Sequence, residues 1–142
     1  GVVKLFAGFR RKLKIGAFNN RIHRAGFRAE AAIDAFGHVN NSTYLIFAQE
    51  ARYAWSKMHE MVVARAEVDF IAPIYTGDIY IDVEIWVNKI GTSSFGVTYE
   101  MKNGDELLAV VKTVQVTVSM DTKKSRPMND AEREFLNKYL ES

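Results

Sequence analysis

Residues 40–55 read Asn40-Asn41-Ser42-Thr43-Tyr44-Leu45-Ile46-Phe47-Ala48-Gln49-Glu50-Ala51-Arg52-Tyr53-Ala54-Trp55, and this stretch decides the fold. Asn40 and Asn41 are both good N-cap residues, because a short amide oxygen can accept from the unpaired N–H groups of a first helical turn. Tyr44, Phe47, Ala48, Ala51, Trp55 and Met58 then recur at three or four residues. That spacing predicts an amphipathic helix of roughly four to five turns with a wide apolar face. Gln49, Glu50, Arg52, Ser56 and Lys57 are expected on its polar side. It is the only strong helix pattern in the middle of the chain.

Around it the period changes to two, the signature of strands. His23, Ala25, Phe27, Ala29, Ala31 and Ile33 alternate with Arg24, Gly26, Arg28, Glu30 and Ala32. Past the helix, Val62–Phe70 alternates and is ended by Pro73. Ile79–Val87 sets Ile79, Ile81, Val83, Ile85 and Val87 against polar neighbours. Phe95, Val97, Tyr99 and Met101 share a face, and Asn103-Gly104 reads as a tight two-residue hairpin turn. A long last strand, Leu107–Met120, is expected to face the core with Leu108, Val110, Val114, Val116, Val118 and Met120, interrupted by Lys112. Asn129 or Asp130 then caps a short terminal helix bearing Phe135, Leu136, Tyr139 and Leu140. The expected architecture is α+β: a curved antiparallel five-stranded sheet around one long central helix, with a small C-terminal helix. Five strands on one helix leave an edge or face wanting cover, so a homodimer or tetramer is expected.

The chain has 142 residues, 48% apolar and 25% charged, which suits one domain with a real core. No run of about 18 apolar residues predicts a membrane span. Without cysteine there is no disulfide, thiolate nucleophile or Cys-based zinc site, a composition compatible with the cytoplasm. Residues 1–29 carry eight cations and no acid, which leaves −6 for the remainder of a chain whose total is +2. Residues 1–22 are therefore read as a basic arm and 23–142 as the domain. The arm suits a polyanionic contact, an acidic partner surface or a targeting segment. Nucleic acid is not the expected partner.

Immediately before the helix stands Asp34-Ala35-Phe36-Gly37-His38-Val39. Read alone, Asp34 is a turn-capping aspartate and His38 a loop-holding histidine. No His/Asp/Glu cluster has metal-ligand spacing, and no Gly-rich phosphate loop occurs, so no cofactor is expected.

The run Asp34-Ala35-Phe36-Gly37-His38-Val39-Asn40-Asn41, with Tyr44 and Glu50-Ala51-Arg52, resembles the hot-dog-fold acyl-CoA thioesterases of the 4-hydroxybenzoyl-CoA thioesterase-like superfamily. Val63–Phe70 with Pro73 and Gly77-Asp78, and Ile90–Phe95, carry the resemblance further. It spans roughly Ile33 to the C-terminus. The family often has a second aspartate two residues before the catalytic one, after an Arg-Trp pair; here that position is Ala32.

The resemblance implies hydrolysis of an acyl-CoA thioester to free acid and CoA. Asp34 would act as nucleophile or as general base for water, and the backbone N–H of Asn41, with Asn40 beside it, would polarise the carbonyl. Gly37, His38, Tyr44 and Ser94 would line the substrate or support the loop. Glu50 is a rival carboxylate, about two and a half turns into the helix. Alternatives are an acyl-carrier-protein thioesterase and a non-catalytic acyl-CoA-binding module.

Overall fold

The central helix forms where its signals predict. Asn40 caps it, and α1 runs Asn41–Trp55. The computed structural model describes residues 9–12, 23–29, 40–56, 58–74 and 80–141 of the chain, with the backbone alone for 9–12, 23–29 and 80. The other elements are β1 (Phe9–Lys12), β2 (His23–Ala29), β3 (Met61–Phe70), β4 (Tyr80–Ile90), β5 (Ser94–Asn103), β6 (Glu106–Thr117) and α2 (Asp130–Asn137). The six strands make one antiparallel sheet in the order β1-β2-β4-β5-β6-β3. Five strands were expected. The sixth, β1, holds Phe9-Arg10-Arg11-Lys12, whose three successive cations give no alternation to read, and it adds to the free edge of β2.

α1 packs over β2, β4 and β6. Its Tyr44, Phe47, Ala48, Ala51 and Trp55 meet Ile81, Val83, Ile85 and Val87 of β4 and Phe95, Val97, Tyr99 and Met101 of β5 in one buried core. These strand faces are the ones the alternation predicts. Burying aromatic and branched side chains here stabilises by about 1.5–3 kcal/mol each.

Two faces differ from expectation. The core side of β6 is Ala109, Val111, Thr113, Gln115 and Thr117, while Val110, Val114 and Val116 are half-buried on the outer face. The apolar periodicity pointed to the wrong side, because polar residues hydrogen-bonded to Tyr99 and to each other line the inner one. β3 was expected to bury one face. It is exposed along most of both, because it lies beyond the strands that α1 covers.

The β5–β6 hairpin is also displaced by one residue from the Asn103-Gly104 reading. Asn103 pairs with Glu106, so the loop is Gly104-Asp105. Gly104 takes φ +60°, as the first loop residue of a type II′ turn requires, and Asp105 needs no positive φ. Elsewhere in the sheet, a bulge between Val87 and Lys89 brings Asn88 over Gly96, where its Nδ2 donates to Thr98 Oγ1 at 2.8 Å. A Cβ on Gly96 would lie 2.1 Å from Asn88 Oδ1, so a side chain there would have to displace the Asn88 amide.

The C-terminus completes the frame. Asn129 and Glu132 form a reciprocal capping box at the start of α2. Arg126 donates two hydrogen bonds to Glu132 and one to Glu60, tying this cap to the start of β3. Those bonds hold the Glu132 carboxyl below the usual carboxylate range, against burial, which pushes it up. Phe135 and Tyr139 stack on Trp55 with ring centroids 5.1 and 5.3 Å away. The chain then pairs with the part of β4 that β2 does not reach: Val87 N–H donates to Tyr139 O and Glu141 N–H to Val87 O, both at 2.9 Å.

Candidate functional site at the start of the central helix

Asn40 stands just outside α1 with an extended backbone, φ −59° and ψ 137°. Its Oδ1 accepts from the Ser42 N–H at 2.9 Å and from the Ser42 hydroxyl at 2.8 Å. Its carbonyl accepts from the Thr43 N–H at 3.0 Å. Two of the first-turn donors are thus taken. That of Asn41, the first helical residue, has no acceptor within the helix. No acidic side chain lies in this turn, so nothing in α1 offsets the positive end of its dipole. An N–H without an intrahelical acceptor at such a helix start favours an oxygen carrying negative charge.

Tyr44, one turn further, is a core residue, 2% exposed. Its ring packs edge-on against Phe70 at 5.2 Å and Phe47 at 6.3 Å. Burial raises its hydroxyl pKa, and a hydrogen bond with the Ile74 backbone opposes this. Tyr44 therefore fixes the helix start to the end of β3.

Ser94 is not brought to this place within one chain. It begins β5, pairs with Val116, and accepts from Gly91 N–H at 2.7 Å to close the β4–β5 turn. Val116 in turn pairs with Val62. The helix start lies by Phe70, eight residues along β3, or roughly 27 Å at strand rise. Asp34, Gly37 and His38 lie outside the described residues.

Glu50 was expected on the polar side of α1. It is 3% exposed and has a partner. It follows Phe47 by three residues, which puts it on the flank of the apolar stripe, and the packing of α1 is wide enough to take it in. Nine residues of helix, roughly 14 Å, separate it from Asn41. A carboxylate there does not meet a carbonyl held at the helix start.

Arg52 and Ser56, also expected outside, are 5% and 3% exposed. Arg52 belongs to a buried polar chain that the sequence did not reveal. Its Nη1 donates to Tyr99 Oη at 3.0 Å, Tyr99 Oη shares a hydrogen bond with Thr113 Oγ1 at 3.1 Å, and Gln115 Nε2 donates to Thr113. Burial raises the Tyr99 pKa, with the Arg52 charge opposing it, so the phenol stays protonated. Its signal was present in Thr113 and Gln115, which alternate with valines, but only sheet pairing shows that their side faces inward. Among the described residues, no three His, Asp or Glu side chains gather into a metal-holding group.

A sequence profile of the thioesterase-like superfamily matches residues 28–136. The chain belongs to that superfamily. Its enzymatic class, thioester hydrolase, goes with that membership. Among solved structures, a predicted thioesterase from Bacillus stearothermophilus is 23% identical with a TM-score of 0.78, covering 84% of this chain and 97% of its own. A 1,4-dihydroxy-2-naphthoyl-CoA thioesterase from Synechocystis is 19% identical with a TM-score of 0.73, covering 82% and 96%. A thioesterase from Thermus thermophilus, solved in complex with coenzyme A and zinc, is 27% identical with a TM-score of 0.73, covering 80% and 90%. The superfamily member described here shares their α+β, hot-dog-like fold. No curated protein sequence matches the chain. No helix of the described residues is long and apolar enough to cross a membrane.

Proposed function

We propose that the chain hydrolyses acyl-CoA thioesters to a free acid and CoA at the start of α1. The observation that carries this is the Asn41 N–H, left without an intrahelical acceptor while Asn40 occupies its two neighbours. A thioester carbonyl oxygen seated there gains a hydrogen bond that strengthens as negative charge builds on it, which lowers the barrier to attack. Asp34, six residues before Asn40, is the attacking or proton-accepting group. As general base it takes a proton from water, whose oxygen bonds to the carbonyl carbon. Collapse of the tetrahedral intermediate breaks the C–S bond, and the CoA sulfur leaves with the proton. As nucleophile, its oxygen makes that bond itself, and water then cleaves the mixed anhydride. Coenzyme A as the leaving thiol is supported by the Thermus thermophilus relative that binds it. A CoA ester and a cysteine-free chain both suit the cytoplasm.

The test is release of free thiol from a panel of short, long and aromatic acyl-CoAs. Turnover of at least one is expected; inert behaviour toward every thioester would transfer the reading to an acyl-CoA-binding module.

We also infer that two copies pair through the edge of β3 that no described strand covers. Val62, Val63 and Phe70 there are 51%, 45% and 50% exposed, on a strand whose other edge is taken by β6. A two-fold axis at Ala66 sets Val62 opposite Phe70 and Arg65 opposite Glu67, so the strand is its own complement. It also carries the Ser94 end of one chain toward the helix start of the other. Sedimentation of the wild type is expected to give a multiple of 16.1 kDa. Val62→Lys with Phe70→Lys, which sets cations against each other, is expected to give the monomer. A wild-type monomer would remove the pairing.

A further inference from the structure

The second half of α1 and the start of β3 flank an open cavity of about 610 Å³, within the usual range for small-molecule sites. Arg52 lines it, with Gln49, Tyr53 and His59 as polar walls and Met61 and Val62 among the apolar ones. Arg52 is 5% exposed. Its Nε is buried without a hydrogen-bond partner, and among the described residues its guanidinium donates only to the neutral Tyr99 hydroxyl, with no carboxylate paired to it. The Tyr53 ring stands 5.7 Å from Arg52 Cζ and holds the plane from another side. A charge withdrawn from water without a counter-charge is costly. A lysine or histidine could shed its proton in such a place, but arginine cannot. Among the described residues nothing supplies the missing negative charge, and the cavity that Arg52 lines is where a ligand would bring it.

We propose that this cavity binds an amphipathic organic anion, a carboxylate or phosphate monoester on a short apolar body, with Arg52 as its counter-charge. A guanidinium presents paired N–H donors that match either oxyanion group, and Met61 and Val62 take the apolar body. The site lies eleven residues, roughly 16 Å of helix, from Asn41. It stands whether or not the hydrolytic reading holds.

The test is thermal unfolding of the full chain at fixed ionic strength in hexanoate, hexyl phosphate or 1-hexanol. At about ten times its dissociation constant a bound anion raises the melting temperature by roughly 3–6 °C for a chain of this size. The larger shift identifies whether carboxylate or phosphate is preferred, and hexanol is expected to give none. Arg52→Met is expected to lose the shift, and Asp34→Asn to keep it, which separates this cavity from product binding at the start of α1. If Arg52→Met does not fold, Tyr53→Glu, at a position 56% exposed, sets a carboxylate beside Arg52 and must abolish the shift. No shift with either anion in the wild type, or a shift that survives Arg52→Met or Tyr53→Glu, overturns the proposal. So does conversion of a dimer to a monomer by Arg52→Met, which would make a second copy's carboxylate the partner.

Discussion

Asp34→Asn is expected to lower kcat for thioester hydrolysis by about 10³–10⁴-fold while leaving the fold in place. Asparagine has the shape of aspartate and keeps its capping ability, so a residue that only closes the turn before α1 would tolerate the change. What asparagine lacks is the charge. It neither attacks a carbonyl nor takes a proton from water, so both mechanisms fail together. The carbonyl is held by the helix start rather than by that charge, so KM should change little. The measurement is steady-state thiol release on the best acyl-CoA, alongside thermal unfolding of both proteins. Undiminished kcat in a folded variant would remove Asp34 from the reaction and leave it a structural aspartate. Glu50 is a poor substitute candidate: it is buried, partnered and roughly 14 Å of helix from the Asn41 N–H.

Local chemistry made part of this legible in the sequence. The cap at Asn40 and the capping box at Asn129 and Glu132 depend on residues two or three apart, so they can be read directly from the chain. β4 and β5 were legible because Ile81, Val83, Ile85, Val87 and Phe95, Val97, Tyr99, Met101 pack apolar against apolar. β6 was misread for a physical reason. Apolar periodicity assumes that the inner face is the greasier one, yet Thr113 and Gln115 are hydrogen-bonded inside through Tyr99 Oη, Thr113 Oγ1 and Gln115 Nε2, while Val114 and Val116 sit half-buried outside. Arg52 and Glu50 defeated the helical reading similarly, since a charged residue beside the apolar stripe is followed inward when its neighbours are packed. β1 and the place of Ser94 are set by pairing between distant segments, which no local pattern encodes. Of the candidate site, Asn40 and Asn41 were therefore the readable part. Their amide chemistry is local, whereas Ser94 lies far along the sheet from the helix start within one chain.

That readable part allows a variant that removes one atom pair and little else. Asn41→Pro deletes the backbone N–H proposed to hold the oxyanion. Proline is favoured at the first position of a helix, where the missing N–H has no intrahelical use and its fixed φ already suits the turn. The residue before a proline must be extended, and Asn40 already has φ −59° and ψ 137°. The caps on Ser42 and Thr43 come from Asn40 and are untouched. Stability should therefore change by less than about 1 kcal/mol. Activity should not be spared: loss of one oxyanion donor raises the barrier by about 2.7–4 kcal/mol, a fall of about 10²–10³ in kcat. Asn41→Ala keeps the N–H and removes only the exposed side chain, so it should retain nearly full activity. The contrast between the two separates backbone from side chain at one position. Equal losses in proline and alanine variants would assign the effect to the Asn41 amide side chain. Equal retention would place the oxyanion away from the start of α1.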